Sequence, residues 1–178
     1  MPALLEDPAR RRQPQPPRHL RPLRRGAGVK AHLDTPFGPF WAEVREGAVV
    51  AAGWGACAEA GQDPVLDAAL AQLAAYFDGK LEAFDLPLAP VGGAFQQAVW
   101  QQISAIPFGF TRTYGDLAKL TGGSAQAVGQ ACGANPIPVI IPCHRVLGTC
   151  GLGGYSGGRG IETKVQLLRL ESAGGLLI

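Results

Sequence analysis

Between Val29 and Gly53 the apolar positions come in short β-prone runs, "VKAHLDT", "FWAEVRE" and "AVVAAGWG", broken by Pro36, Gly38 and Gly47. That pattern predicts a small antiparallel meander. The period then changes. In "DPVLDAALAQLAAYFDGK" the apolar residues Leu66, Leu70, Leu73 and Phe77 keep helical spacing, with Asp63 as N-cap, Pro64 at the first position and Gly79 as the stop. Residues 29–91 therefore read as a small α+β unit. His32 and Cys57 stand alone in it, and core or surface roles suit them better than chemistry.

After "LAPVGG" the pattern is mainly helical, and residues 92–178 read as a second unit. Phe95, Val99, Ile103 and Ile106 mark an amphipathic helix ending before Pro107 and Gly109. "TRTYGDLAKLTGGSAQAVGQACGANP" predicts two short helices, about 113–120 and 124–133, split by Gly122 and Gly123. Both a helix-turn-helix and a plain αα-hairpin fit that spacing. The second helix offers Ala125, Ala127, Val128, Gly129, Ala131 and Gly133, with Gln126 and Gln130 as its long polar residues. Reading the major groove needs more long side chains than that. So small a surface suits close approach to the minor groove or to another helix. Val139-Ile140-Ile141 reads as a buried strand closed by Pro142, and "GIETKVQLLRLESAGG" as a last helix with the stripe Ile161, Val165, Leu168 and Glu171.

Composition narrows the class. The 178 residues suffice for a packed core, no run approaches the ~18 apolar residues of a membrane span, and the start lacks the apolar stretch of a secretory leader. A cytoplasmic protein with free thiols at Cys57, Cys132, Cys143 and Cys150 is the expectation. Charge is uneven: residues 1–30 carry a local +6, leaving −4 on the rest of a chain whose net charge is +2. The Pro-interleaved "RRRQPQPPRHLRPLRR" makes residues 1–28 read as a disordered basic arm, either a tether for phosphates or an extension without function.

Candidate chemistry centres on "IIPCHRV". A nucleophilic cysteine needs a base or a positive field to reach its thiolate. His144 adjoins Cys143, but neighbouring side chains in an extended segment diverge, so a bridging water is the easier route between them. Glu171, in the last turn of the final helix, is either the group that orients His144 or an ordinary solvated glutamate. A cysteine hydrolase would need a histidine distant in sequence, and the others are His19 and His32. Cys132, Cys143, His144 and Cys150 have irregular spacing for a metal, so none is expected.

"NPIPVIIPCHRV", followed by "GGYSGG" and "KVQLLRLE", resembles the active-site region of the O6-alkylguanine-DNA alkyltransferases, strongly over 92–178 and weakly over 29–91. The resemblance implies an RNase H-like N-terminal domain and a winged-helix-like C-terminal one that flips an alkylated guanine through the minor groove. It implies irreversible, single-turnover transfer of the alkyl group from O6, with O4-alkylthymine as a further substrate candidate, to Cys143. In that scheme His144 is the water-mediated base, Glu171 its orienting carboxylate, Asn135 a hinge, and Tyr114 the residue that rotates the target phosphate and neutralises the leaving guanine. Val146, Tyr155 and Ser156 would hold the base, and Pro138 would wall the pocket. Ala125, Gln126, Ala127, Gly129, Arg112 and Arg145 would meet DNA, with Lys119 adding field. No cofactor is implied, and the expected state is a monomer on double-stranded DNA. Gln126 stands where the family carries an arginine, which predicts weaker, strongly salt-dependent binding. The competing reading is a non-catalytic lesion-binding relative, but those generally lack the acceptor cysteine that is present here.

Overall fold

The computed structural model describes residues 28–173, so the arm expected over 1–28 lies, but for Gly28, outside the described residues. Strands β1 (Val29–Leu33), β2 (Phe40–Arg45) and β3 (Ala48–Trp54) form the antiparallel meander, in the order β1-β2-β3. Ala31 pairs with Ala42 and Ala42 with Ala52, and a bulge between Glu43 and Val44 shifts the register toward the turn. Phe40, Ala42 and Val44 alternate onto the buried face, as a half-buried strand requires.

Helix α1 (Pro64–Phe77) starts where its cap directs: Asp63 Oδ1 accepts from the Val65 amide at 2.7 Å and the Leu66 amide at 3.4 Å. It packs Leu66, Ala69, Leu73, Tyr76 and Phe77 on the sheet, while Leu70 is only half-buried. Phe77 meets Phe40 and Trp54 edge-on, with ring centres 5.8 Å apart in both pairs.

Helix α2 (Ala94–Ser104) ends before Ile106, which packs from the following turn. Its Trp100 is buried, and the indole N–H donates to the Ala131 carbonyl at 2.8 Å, tying α2 to α4 (Ala125–Gly133). Strands β4 (Arg112–Thr113) and β5 (Val146–Leu147) form a short parallel pair. Helix α3 (Tyr114–Thr121) opens on a reciprocal cap: Thr113 Oγ1 accepts from the Asp116 amide, and Asp116 Oδ2 accepts from the Thr113 amide. Gly122, at φ 71°, closes α3 in the left-handed region, and Ser124 caps α4. A side chain on Gly123 would meet the Phe95 ring at 2.6 Å, so this turn seats directly on α2.

Residues 139–141 are not a strand. The segment is a buried turn in which the Ile141 amide donates to the Ile137 carbonyl at 2.9 Å, and Val139 takes φ 72°. Pro138 and Pro142, which flank the apolar run, have no amide to give a ladder, and periodicity alone does not separate a buried turn from a strand. Asn135 holds the turn closed: its Nδ2 donates to the Ile141 carbonyl at 2.8 Å, and its Oδ1 accepts from the Ile137 amide at 3.0 Å. Left-handed φ is costly for a β-branched residue and persists only where its surroundings impose it.

Helix α5 (Ile161–Leu170) buries Thr163, Lys164, Leu167 and Leu168, with Glu171 just beyond its end. The buried face is thus rotated from the expected stripe, and Ile161 is 48% exposed.

Candidate active site

Cys143, His144 and Arg145 form a single 3₁₀ turn directly after Pro142. With three residues per turn, successive side chains fan out by about 120°. The turn therefore sends Cys143 to one side and the two basic residues inward. His144 is fully buried, and its Nε2 lies 2.7 Å from Glu171 Oε1. Arg145 donates from Nε to Glu171 Oε2 at 2.9 Å, from Nη2 to Oε1 at 3.0 Å, and from Nη1 to the Ile106 carbonyl at 2.6 Å. Glu171 is 2% exposed, so the reading of it as a solvated helix-end carboxylate is excluded.

Burial pushes the Glu171 carboxyl up, but hydrogen bonds and charge from His144 and Arg145 outweigh it and hold the group at about 2. The carboxylate is therefore ionised and must accept the Nε2–H of His144. Burial lowers the His144 imidazole; Glu171 opposes this, while Arg145 and Lys164 add to it. The neutral ring then carries its lone pair on Nδ1, a buried atom with no partner among the described residues. An unpartnered buried nitrogen is the site for a bridging water or an incoming proton. Burial raises the Cys143 thiol, against the Asn135 amide and the charge of Lys164. The resting nucleophile is protonated at neutral pH and needs a base.

Cys143 lines two cavities. One, of about 510 Å³, runs along α4, where Ala125, Gly129 and Cys132 face Tyr114 and Tyr155. The other, of about 440 Å³, is lined by Trp54 of β3, Asn135, Pro138 and Ser156. Pro138 thus walls the second space and not the first. The Tyr114 hydroxyl makes one loose bond, 3.4 Å to the Gly154 carbonyl, and burial raises its pKa, so it is a protonated donor. Burial likewise pushes the Cys132 thiol up to about 12. Val146 is buried, and its carbonyl accepts from Lys164 Nζ at 2.6 Å.

The sequence-based assignments divide here. Cys143, His144, Glu171 and Asn135 come together, with Tyr114, Tyr155 and Ser156 around the cavities. Ala125 and Gln126 are exposed on α4, Ala127 and Gly129 are half-buried, and Arg112 and Lys119 are exposed beside them. Arg145 does not belong to the DNA-facing set: it is buried, and its guanidinium is spent on Glu171 and Ile106. Arginine has five donors that satisfy a buried carboxylate bidentately, a use that a surface-by-default reading overlooks.

Two residues were missed. Lys164 is fully buried and donates to the carbonyls of Val146, Leu152 (2.5 Å) and Gly154 (3.2 Å), pinning the loop that carries Tyr155; burial lowers it to about 8. Its place seven residues before Glu171, on the same helix face, was the available signal. Tyr76, from α1, donates to Glu171 Oε1 at 2.6 Å. No local pattern links it to a residue 95 positions away.

The family model described as 6-O-methylguanine DNA methyltransferase, DNA binding domain, matches residues 94–173, and the one for the ribonuclease-like domain of the same family matches 29–90. A methylated-DNA–protein-cysteine methyltransferase of Methanosarcina acetivorans is 50% identical over 105 residues, covering 57% of this chain and 66% of that one. One of Mycolicibacterium paratuberculosis is 49% identical over 106 residues, covering 58% and 63%. The match thus spans less than two thirds of these curated relatives' own length. A crystal structure of Mycobacterium tuberculosis O6-methylguanine methyltransferase superposes with a TM-score of 0.70 at 38% identity, covering 82% of this chain and 93% of that one. A structure of the Mycobacterium tuberculosis protein OGT in complex with DNA gives 0.71 at 38% identity, covering 80% and 92%. A thiol on a tight turn, backed by a buried His–Glu–Arg cluster and matched by both domain models of one family, places this chain in the 6-O-methylguanine DNA methyltransferase family.

Proposed function

We propose that this protein repairs DNA by moving the alkyl group of O6-alkylguanine onto Cys143 in one irreversible step. The observation that carries the reading is the orphaned Nδ1 of a His144 whose other nitrogen is fixed on Glu171, next to a protonated thiol that opens on a cavity. Through a water, Nδ1 takes the Cys143 proton. The thiolate attacks the sp³ carbon on O6, the C–O bond breaks, and the thioether forms. Tyr114 Oη supplies a hydrogen bond to the leaving guanine as charge develops. The thioether is a stable product, so each molecule turns over once.

Double-stranded DNA is engaged through the minor groove, by a monomer. Support comes from α4, whose small residues, the exposed Ala125 and the half-buried Gly129, border the Cys143 cavity. The target base must leave the stack to reach a thiol that is only 7% exposed, at a cost of a few kcal/mol, least for a lesion that pairs badly. Pocket contacts fall to Tyr155 and Ser156, which line both cavities, with the backbone of Val146 as a further partner for the base that does not itself line either cavity, while Asn135 braces the turn behind the thiol. Domain limits of 29–91 and 92–178, with a basic arm over 1–28, complete the proposal.

Intact-protein mass spectrometry after incubation with a duplex containing one O6-methylguanine tests it. A gain of about 14 Da on Cys143, lost in Cys143→Ala, is the expected result. Retained lesion binding with no mass gain would instead make the protein a non-catalytic lesion binder.

A further inference from the structure

Tyr76 lies in the last turn of α1, in the unit that does not carry the thiol, and is fully buried. Its ring is clamped by Phe77, Phe84 and Phe108, with centres 5.3, 5.4 and 6.3 Å away, so its hydroxyl has one place to go. That place is Glu171 Oε1, at 2.6 Å, the same oxygen that accepts from His144 Nε2 at 2.7 Å. The hydroxyl is also 3.5 Å from Nε2 itself.

The carboxylate is crowded. Tyr76 Oη, His144 Nε2 and Arg145 Nη2 converge on Oε1, and Arg145 Nε and the Gly109 amide (3.4 Å) on Oε2. A carboxylate offers about four lone-pair directions, so five donors compete. Each one draws charge from the oxygens and weakens the hold of the others on the carboxylate. A tyrosine needed only to fill the core would be satisfied by any carbonyl. This one is aimed at the group that sets the proton affinity of the base.

We propose that Tyr76 is a positioning residue of the alkyl-transfer site, acting through Glu171 to hold His144 in one tautomer and to limit the stabilisation of its protonated form. The inference rests on the transfer reading above, and it makes the N-terminal unit part of the active site. The charged and titratable groups around His144 and Glu171 are Tyr76 from α1, Cys143 and Arg145 from the 3₁₀ turn, and Lys164 from α5, with Tyr155, in the loop before α5, within electrostatic reach of Tyr76. Among these, Tyr76 is the one whose hydroxyl Tyr76→Phe deletes at almost constant shape.

Without that hydroxyl the carboxylate holds the imidazolium more tightly, so His144 gains a proton at higher pH. The test follows His144 by ¹⁵N-histidine NMR titration, and the rate of alkyl transfer to Cys143 across pH, in three proteins: the native chain, Tyr76→Phe and Phe37→Leu. Phe37 abuts Phe77, 5.9 Å between centres, in the same aromatic cluster without a bond to Glu171. In Tyr76→Phe the acid limb of the rate and the His144 midpoint should both rise by about half to one pH unit, as expected for one hydrogen bond to a charged group. Phe37→Leu should lower the melting temperature and leave both midpoints in place. An unchanged midpoint in folded Tyr76→Phe overturns the proposal. If Tyr76→Phe does not fold, 3-fluorotyrosine at position 76, a more acidic donor, should lower the midpoint, and no change there overturns the proposal equally. If the native chain transfers no alkyl group, the functional reading fails, while the NMR titration still decides the role of Tyr76.

Discussion

Glu171 is the one carboxylate on which His144, Arg145 and Tyr76 all depend, so its protonation governs more than catalysis. Its folded value of about 2 lies below the ordinary ~4.3 of a glutamate. The stability it contributes is therefore complete above the ordinary value and is lost as pH falls from there through about 2. His144, lowered by burial, acts in the same direction: the unfolded chain takes up that proton first, so stability begins to fall as pH drops through ~6.5. Urea unfolding across pH should show both slopes. Glu171→Gln should shrink the lower one, leaving the part due to Asp116, and, by leaving the Arg145 charge unpaired, cost ~3–5 kcal/mol at neutral pH. Lys164→Met should free the carbonyls of Val146, Leu152 and Gly154, cut alkyl transfer more than lesion binding, and speed amide exchange over residues 148–156. At this scale the sequence was half legible. Cys143 and His144 stood out because a thiol beside an imidazole is chemistry by itself. Lys164, Tyr76 and the inward use of Arg145 did not, because charged and hydroxyl side chains are assigned to the surface unless their partners are known, and those partners lie 10 to 95 residues away.

Among the elements, α4 carries the sharpest prediction. Gln126 is exposed near its start and neutral, so Gln126→Arg should tighten duplex binding and steepen the dependence of log affinity on log salt by about 0.9, readable by fluorescence anisotropy between low and moderate salt. Gly129 faces Tyr114 across the larger cavity, and a Cβ there would lie 3.9 Å from the ring. Alanine fits at that distance. Gly129→Leu should fill the space and stop transfer, with the thermal midpoint retained. Helix boundaries were the legible part of this level, since Asp63-Pro64 and the Gly122-Gly123 break are local signals that act through their own backbone. The 139–141 turn was not, because what folds it is the amide of Asn135 reaching across the segment, a contact the apolar run does not announce.

For the whole molecule, the link between the two units is what no local pattern revealed. The Ala52 amide of β3 donates to the Pro136 carbonyl at 2.9 Å, so the sheet grips the segment leading to Cys143, while α1 reaches Glu171 on the other side. Trp54, at the end of β3, lines the smaller cavity beside Tyr155, where both polar tips are buried without a bond of good geometry. Of the three tryptophans, Trp100 is sealed in the core, and Trp41 lies under Lys30 Nζ, 3.5 Å from its ring centre, away from the thiol. The chain thereby carries a built-in optical probe at its reaction centre. A base docking against Tyr155, which lines both cavities, should change the emission of Trp54, so that docking, chemistry and product release can be timed by stopped-flow fluorescence on unlabelled protein, and Trp54→Phe should silence the signal.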